Sequence, residues 1–124
     1  MLSLRKVYVA AKFEAKERLQ PVRHRLEAGG IQVVGTWLDE ETSTPTHTQK
    51  VQYAKRDMAE VMLANLLILD TLDDNNRGGR EVEYGMALAT GKNIIIVGPF
   101  RNVFHTVADA RFDTWKECYE FLGI

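Results

Sequence analysis

One cysteine in 124 residues rules out an internal disulfide, and Cys118 has no cluster of Cys and His around it at zinc-ligand spacing. The residues therefore point to an intracellular, metal-independent protein in which Cys118 is a helix residue of no further consequence. An excess of charge of either sign is also missing. Sixteen Lys and Arg against 17 Asp and Glu leave a formal net charge of -1, so no broad basic field exists to grip a nucleic acid polymer, and any phosphate must be met locally. No apolar run approaches the roughly 18 residues that a membrane-spanning helix needs. Met1 to Lys6 lead straight into a strand-like run, with no secretory leader pattern. A cytoplasmic location away from membranes is the expectation. The first strand is not followed by Gly-x-Gly-x-x-Gly, and no Walker lysine-serine pair occurs, which disfavours a nucleotide triphosphatase or an ordinary dinucleotide enzyme. His24, His47 and His105 have no Ser or Cys context that would make a triad, and read as surface or incidental residues.

What is present is ordinary for one soluble domain covering residues 1–124: 45% apolar and 27% charged, enough to bury a core without staples. Residues 7–11 are a short apolar run suited to a strand buried on both faces. Leu19, Val22 and Leu26 alternate with charged residues up to Gly29-Gly30, the pattern of a helix with a glycine stop. Pro21 either kinks that helix or stands at the first position of a later one, and both readings stay open. Residues 31–34 make a second strand. The polar stretch 39–48, with Pro45 inside it, reads as a surface loop able to cover a site. Helical spacing over 49–65 and an apolar run at 66–69 predict a helix and a third strand. Residues 70–80 are a loop, 81–90 a helix stopped by Gly91, and 94–97 a fourth strand. A less regular stretch runs to Phe112, after which Asp113 is positioned to cap a last helix bearing Trp115, Tyr119 and Leu122. Alternating strands and helices predict a three-layer, doubly wound parallel sheet of four to five strands, flavodoxin-like or Rossmann-like. Ligands in such sheets sit beyond the carboxyl ends of the strands.

Several side chains would arrive there. Glu83 lies in the early turns of the helix after Gly78-Gly79, where the helix dipole favours a carboxylate and a nucleophile is well aimed; a solvated acid near a helix start has the same local sequence. Glu81 points to another side of that helix. Asp57 has Tyr53, Ala54, Val61 and Ala64 as helical neighbours, a costly setting for a carboxylate unless something pairs with it or uses it; Arg56 or Lys55 would be a structural partner. Arg77-Gly78-Gly79-Arg80 joins backbone N–H groups to two guanidiniums, which suits a phosphate as well as a solvated turn. Phe13 and Trp37 follow the first two strands, where a ring either stacks on a planar base or packs in the core.

Taken together, four segments resemble the nucleoside 2-deoxyribosyltransferase superfamily, which includes the deoxynucleoside 5'-monophosphate N-glycosidases. They are Lys6-Val7-Tyr8-Val9-Ala10-Ala11-Lys12-Phe13, Arg56-Asp57 before Ala64-Asn65-Leu66, the run from Gly78 to Ala89, and Gly98-Pro99 with Asn102-Val103-Phe104. The most specific piece is Glu83-x-Gly85-x-Ala87, 26 residues after Asp57. The resemblance implies that Glu83 attacks C1' of the sugar, that the Tyr8 phenol holds and tunes it, and that Asp57 serves the leaving base. It further implies that Lys12, Phe13, Trp37, Arg77, Gly78, Gly79 and Arg80 contact substrate. No cofactor is implied. A homo-oligomer, at least a dimer, is implied, with Asn102 completing a neighbour's pocket. Where the transferases carry an acidic residue shortly before the nucleophile, this chain has Asn76-Arg77-Gly78-Gly79-Arg80, which tilts the reading toward a 5'-monophosphate; Asp73 and Asp74 are the remaining acidic candidates.

Overall fold

The computed structural model describes residues 5–40, 44–74 and 78–124. Five strands form one parallel sheet: β1 (Lys6–Ala10), β2 (Gln32–Val33), β3 (Leu66–Asp70), β4 (Asn93–Val97) and β5 (Ala110–Phe112), in the spatial order β2-β1-β3-β4-β5. The three central strands are almost wholly apolar because both of their faces are covered. Tyr8 stands opposite Leu67 and Ile68 opposite Ile95, so this register stacks their side chains into one core.

Four helices flank the sheet: α1 (Gln20–Ala28), α2 (His47–Leu63), α3 (Gly79–Ala89) and α4 (Trp115–Leu122). Helix α2 packs on α3, and α1 meets α4 where the Arg25 guanidinium lies 5.2 Å from the Tyr119 ring centre. Pro21 is the second residue of α1, so of the two sequence readings the later start holds: its fixed φ and missing N–H suit a first turn. Helix α2 begins two residues earlier than the apolar spacing indicates. Thr46 caps it reciprocally with Gln49, a pairing that outranks periodicity in setting a helix start.

Three expectations need correction. The cap of α4 is Thr114, not Asp113, again through a reciprocal bond set, here with Glu117. The irregular stretch after Gly98-Pro99 holds a 3-10 turn, Val103–Val107, and then the edge strand β5, whose three residues are too few to show a period. His105, read as a surface or incidental residue, is fully buried. Its Nδ1 accepts the Arg101 N–H at 3.0 Å, so the proton sits on Nε2, which donates to Glu81 Oε1 at 2.8 Å.

The sheet reverses its winding between β1 and β3, and the crevice opens there. Two glycines shape the approaches. Gly78 precedes α3 with φ of +95°, and Gly98 leaves β4 with φ of +119°, where an added Cβ would stand 2.4 Å from Thr71 Oγ1 and 2.9 Å from the Leu72 backbone nitrogen.

Candidate functional site

A cleft of about 850 Å³ lies over the carboxyl end of β1, bounded by the segment after β1, the turn after β2, α2 and the start of α3. Roughly 300–1,000 Å³ is the usual range for small-molecule sites. Its lining includes Lys12, Phe13, Trp37, Asp57, Gly79, Arg80 and Glu83, together with Glu40, Lys50 and Tyr53. The loop read as a cover contributes Thr44 and Pro45.

Glu83 is the fifth residue of α3, one turn beyond the buried Arg80, and its carboxylate accepts the hydroxyl of Tyr8. Tyr8 is fully buried at the middle of β1. The bond therefore joins β1 to α3. Burial, and then the charge of Glu83, push the Tyr8 phenol far above its ordinary range, which keeps its proton in place as the donor. Burial pushes Glu83 up to about 8; the Tyr8 bond and Arg56 oppose this, while Asp57 and Glu40 reinforce it. Asp57 is also raised, by burial first, against the pull of Arg56, whose Nη2 donates to Asp57 Oδ1 at 2.9 Å.

The elevated Glu83 value has a thermodynamic consequence. The folded chain binds the Glu83 proton more tightly than an unfolded chain, in which the ordinary value of 4.5 applies. This contribution to stability is complete below 4.5 and is lost as pH rises through about 8. Glu83→Gln should therefore be more stable than the parent at about pH 9, by roughly 1–3 kcal/mol, with the gap closing toward about pH 5. Urea unfolding at the two pH values measures it, and a pH-independent gap would contradict the burial argument.

Several sequence candidates sit differently from expectation. Trp37 lines the cleft but is buried, its Nε1 donating to the Val9 carbonyl at 2.8 Å, so only part of the ring meets the cavity; Phe13 lies across from it at 6.3 Å between ring centres. Arg80 is a strut more than an arm. Its Nη1 donates to the carbonyls of Asp70 at 3.2 Å and Asp73 at 2.9 Å, and its side chain is almost wholly enclosed. Arg77 lies outside the described residues. Asn102 is not on the cleft of its own chain: its Oδ1 caps the turn at Phe104 and His105, and its Nδ2 donates to Glu81 at 2.9 Å. Glu81 does point away from the cleft, toward His105.

Sequence reasoning passed over Glu40, Lys50 and Tyr53. The last two had a signal, since Lys50, Tyr53 and Asp57 fall at the three- and four-residue steps that share a helix face. Glu40 had none, because nothing local tells which loop residue folds inward. Among the described residues, no group of three His, Cys, Asp or Glu side chains is placed to hold a metal ion. No helix among them is long and apolar enough to cross a membrane.

The fold is shared with enzymes of nucleoside and nucleotide chemistry. A 2-deoxyribosyltransferase from Bacillus psychrosaccharolyticus superposes with a TM-score of 0.78 at 18% identity, covering 94% of this chain and 95% of that one. The Clostridium botulinum CMP N-glycosidase superposes with a TM-score of 0.66 at 22% identity, covering 97% of this chain and all of that one. No protein-family model and no curated protein sequence matches the chain.

Proposed function

We propose that the chain is an enzyme that cleaves the N-glycosidic bond of a (deoxy)ribonucleoside or nucleotide through a covalent glycosyl-Glu83 intermediate and passes the sugar to another base. One observation carries the reading: a half-buried carboxylate, bonded to a fully buried phenol, faces a nucleoside-sized cleft that a second carboxylate, Asp57, also lines. In the first half-reaction Glu83 attacks C1' and the bond to the base nitrogen breaks, its electron pair leaving with the base. Asp57 serves that departing base by orienting or protonating it. In the second half-reaction an acceptor base attacks C1' and the Glu83 carboxylate is released. Phe13 and the edge of Trp37 supply flat apolar surface for the base. The Tyr8 hydroxyl fixes the Glu83 oxygen and, by donating to it, favours the ionised form.

A hydrolytic version of the same chemistry, acting on a 5'-monophosphate with water as the acceptor, is the second reading. It is favoured by Lys12 and Lys50 on the cleft wall and by the start of α3 at Gly79, which are suited to a phosphate. Incubation with deoxynucleosides and with deoxynucleoside monophosphates, each with and without a free acceptor base, separates the two by product. No base release from any of them would end both. Association into at least a dimer belongs to this proposal; the exposed Val103, Phe104 and Val107, on the turn that Asn102 caps, offer apolar surface for it, and sedimentation measures it.

The reaction needs the ionised form of Glu83. With its carboxyl raised to about 8, about one molecule in ten carries the charge at neutral pH in the free protein. Base release, followed as kcat/KM, is therefore expected to rise with pH and level off above about 8. Asp57→Asn removes a neighbouring negative charge and should move the midpoint down, while Tyr8→Phe removes the stabilising donor and should move it up. A profile that stays flat across this range in the parent enzyme would contradict the assignment of Glu83 as the ionising group.

A further inference from the structure

Resting on the glycosyl-transfer reading above, we propose that Arg56 is the positioning residue of the site: its guanidinium fixes Asp57 and Glu40 at the cleft that Glu83 lines. The geometry is specific. Arg56 Nε and Nη2 both donate to the same oxygen, Asp57 Oδ1, at 3.2 and 2.9 Å. The same Nη2 reaches the Glu40 carboxylate, Nε stands 3.7 Å from Glu60 Oε1, and the guanidinium carbon lies 4.9 Å from the Tyr53 ring centre. Three carboxylates and one aromatic face thus surround a single planar cation, an arrangement that suits the forked donor set of arginine better than the point charge of lysine.

The clamp also places the cleft wall. Glu60, one turn further along α2, accepts the backbone N–H and the hydroxyl of Thr36 at 3.1 and 2.7 Å. Arg56 and Glu60 therefore grip opposite ends of the turn Thr36–Asp39, from which Trp37 and the following Glu40 enter the cleft. The other cations there are engaged elsewhere or lie on the walls. Lys16 bonds the Glu40 carbonyl and covers the Phe13 ring, Arg80 holds the Asp70 and Asp73 carbonyls, and Lys12 and Lys50 line the walls.

Glu83 accepts from Tyr8 of β1 and feels the charges of Asp57 and Arg56 from α2 and of Glu40 from the end of the turn; Glu60 acts on Tyr8, and Glu14 and Glu17 add negative charge to the cleft. Against these acids, the positive charge of Arg56 favours the ionised form of Glu83. Its own proton is secure: burial works against the charge, but the bonds to Glu40 and Asp57 outweigh it and hold Arg56 above its ordinary range.

The test compares Arg56→Gln and Arg56→Lys in the intact chain. Carboxyl ¹³C NMR titration of Glu83, assigned by its loss in Glu83→Gln, is run beside the pH profile of base release. Arg56→Gln should move the Glu83 midpoint up and lower kcat by about 10- to 100-fold, with KM nearly unchanged. Arg56→Lys should restore the midpoint while leaving kcat reduced, since it keeps the charge and loses the fork. If Arg56→Gln does not fold, Glu40→Gln opens one arm of the clamp and, by removing a negative charge, should lower the midpoint while reducing kcat. An unmoved Glu83 titration, or lysine performing no better than glutamine, overturns the role of Arg56. The titration needs no turnover, so absence of base release in the parent protein overturns the reaction and not the clamp.

Discussion

Glu83→Ala should lower base release by on the order of 10³-fold or more, with far-ultraviolet dichroism and cooperative unfolding retained. The size follows from what is removed. Without the carboxylate no covalent intermediate forms, and an attacking water would have to displace the base in one step, assisted only by binding and by Asp57. The fold should survive because Glu83 is only half-buried and its partner Tyr8 is held by the core on every side. Alanine leaves the Tyr8 hydroxyl without its acceptor, at a cost of roughly 1–2 kcal/mol that relief from burying a carboxyl partly offsets. Single-turnover assays with purified protein decide the matter. Base release within about tenfold of the parent would remove Glu83 from the chemistry.

Asp70→Ala should have the largest effect on stability, about 3–5 kcal/mol, seen as a fall in Tm of roughly 10–20 °C. Asp70 ends β3 and is about 1% exposed. Its two oxygens accept the paired N–H groups of Arg18 at 3.0 and 3.1 Å, the Trp115 indole N–H at 2.7 Å and the Leu72 backbone N–H at 3.0 Å. Alanine removes the acceptor from all four bonds: Arg18 keeps Asp73, but the indole N–H of the buried Trp115 is stranded and the start of α4 loses its tie to the centre of the sheet. Asn at the same position keeps one acceptor and should fall between the two. Thermal unfolding within about 1 kcal/mol of the parent would show that these donors find other partners.

The parallel sheet was readable from the chain because its three inner strands are unbroken apolar runs separated by helical spacing and glycine stops. Helix ends were less readable: Thr46 and Thr114 start their helices through side-chain pairs that an apolar period does not register. At the site, the juxtaposition of Tyr8, Asp57 and Glu83 came from a resemblance, since no local pattern brings residues so distant in sequence to one cleft. The burial of His105 and the anchoring of Arg80 were hidden for a related reason. A polar side chain is assigned to solvent unless its partners are known, and these partners are Glu81 and two backbone carbonyls, contacts created only when the loops pack.

Both margins of the sheet are brief: β2 offers two residues and β5 three. A foreign segment pairing there would gain only a rung or two of ladder bonds, and beside β5 it would meet Arg111, which is ion-paired to Asp113. Strand-by-strand growth into fibrils has almost no template from which to start. The chain should accordingly tolerate the high concentrations that carboxyl titrations require, with lateral sheet pairing the least favoured route to aggregation.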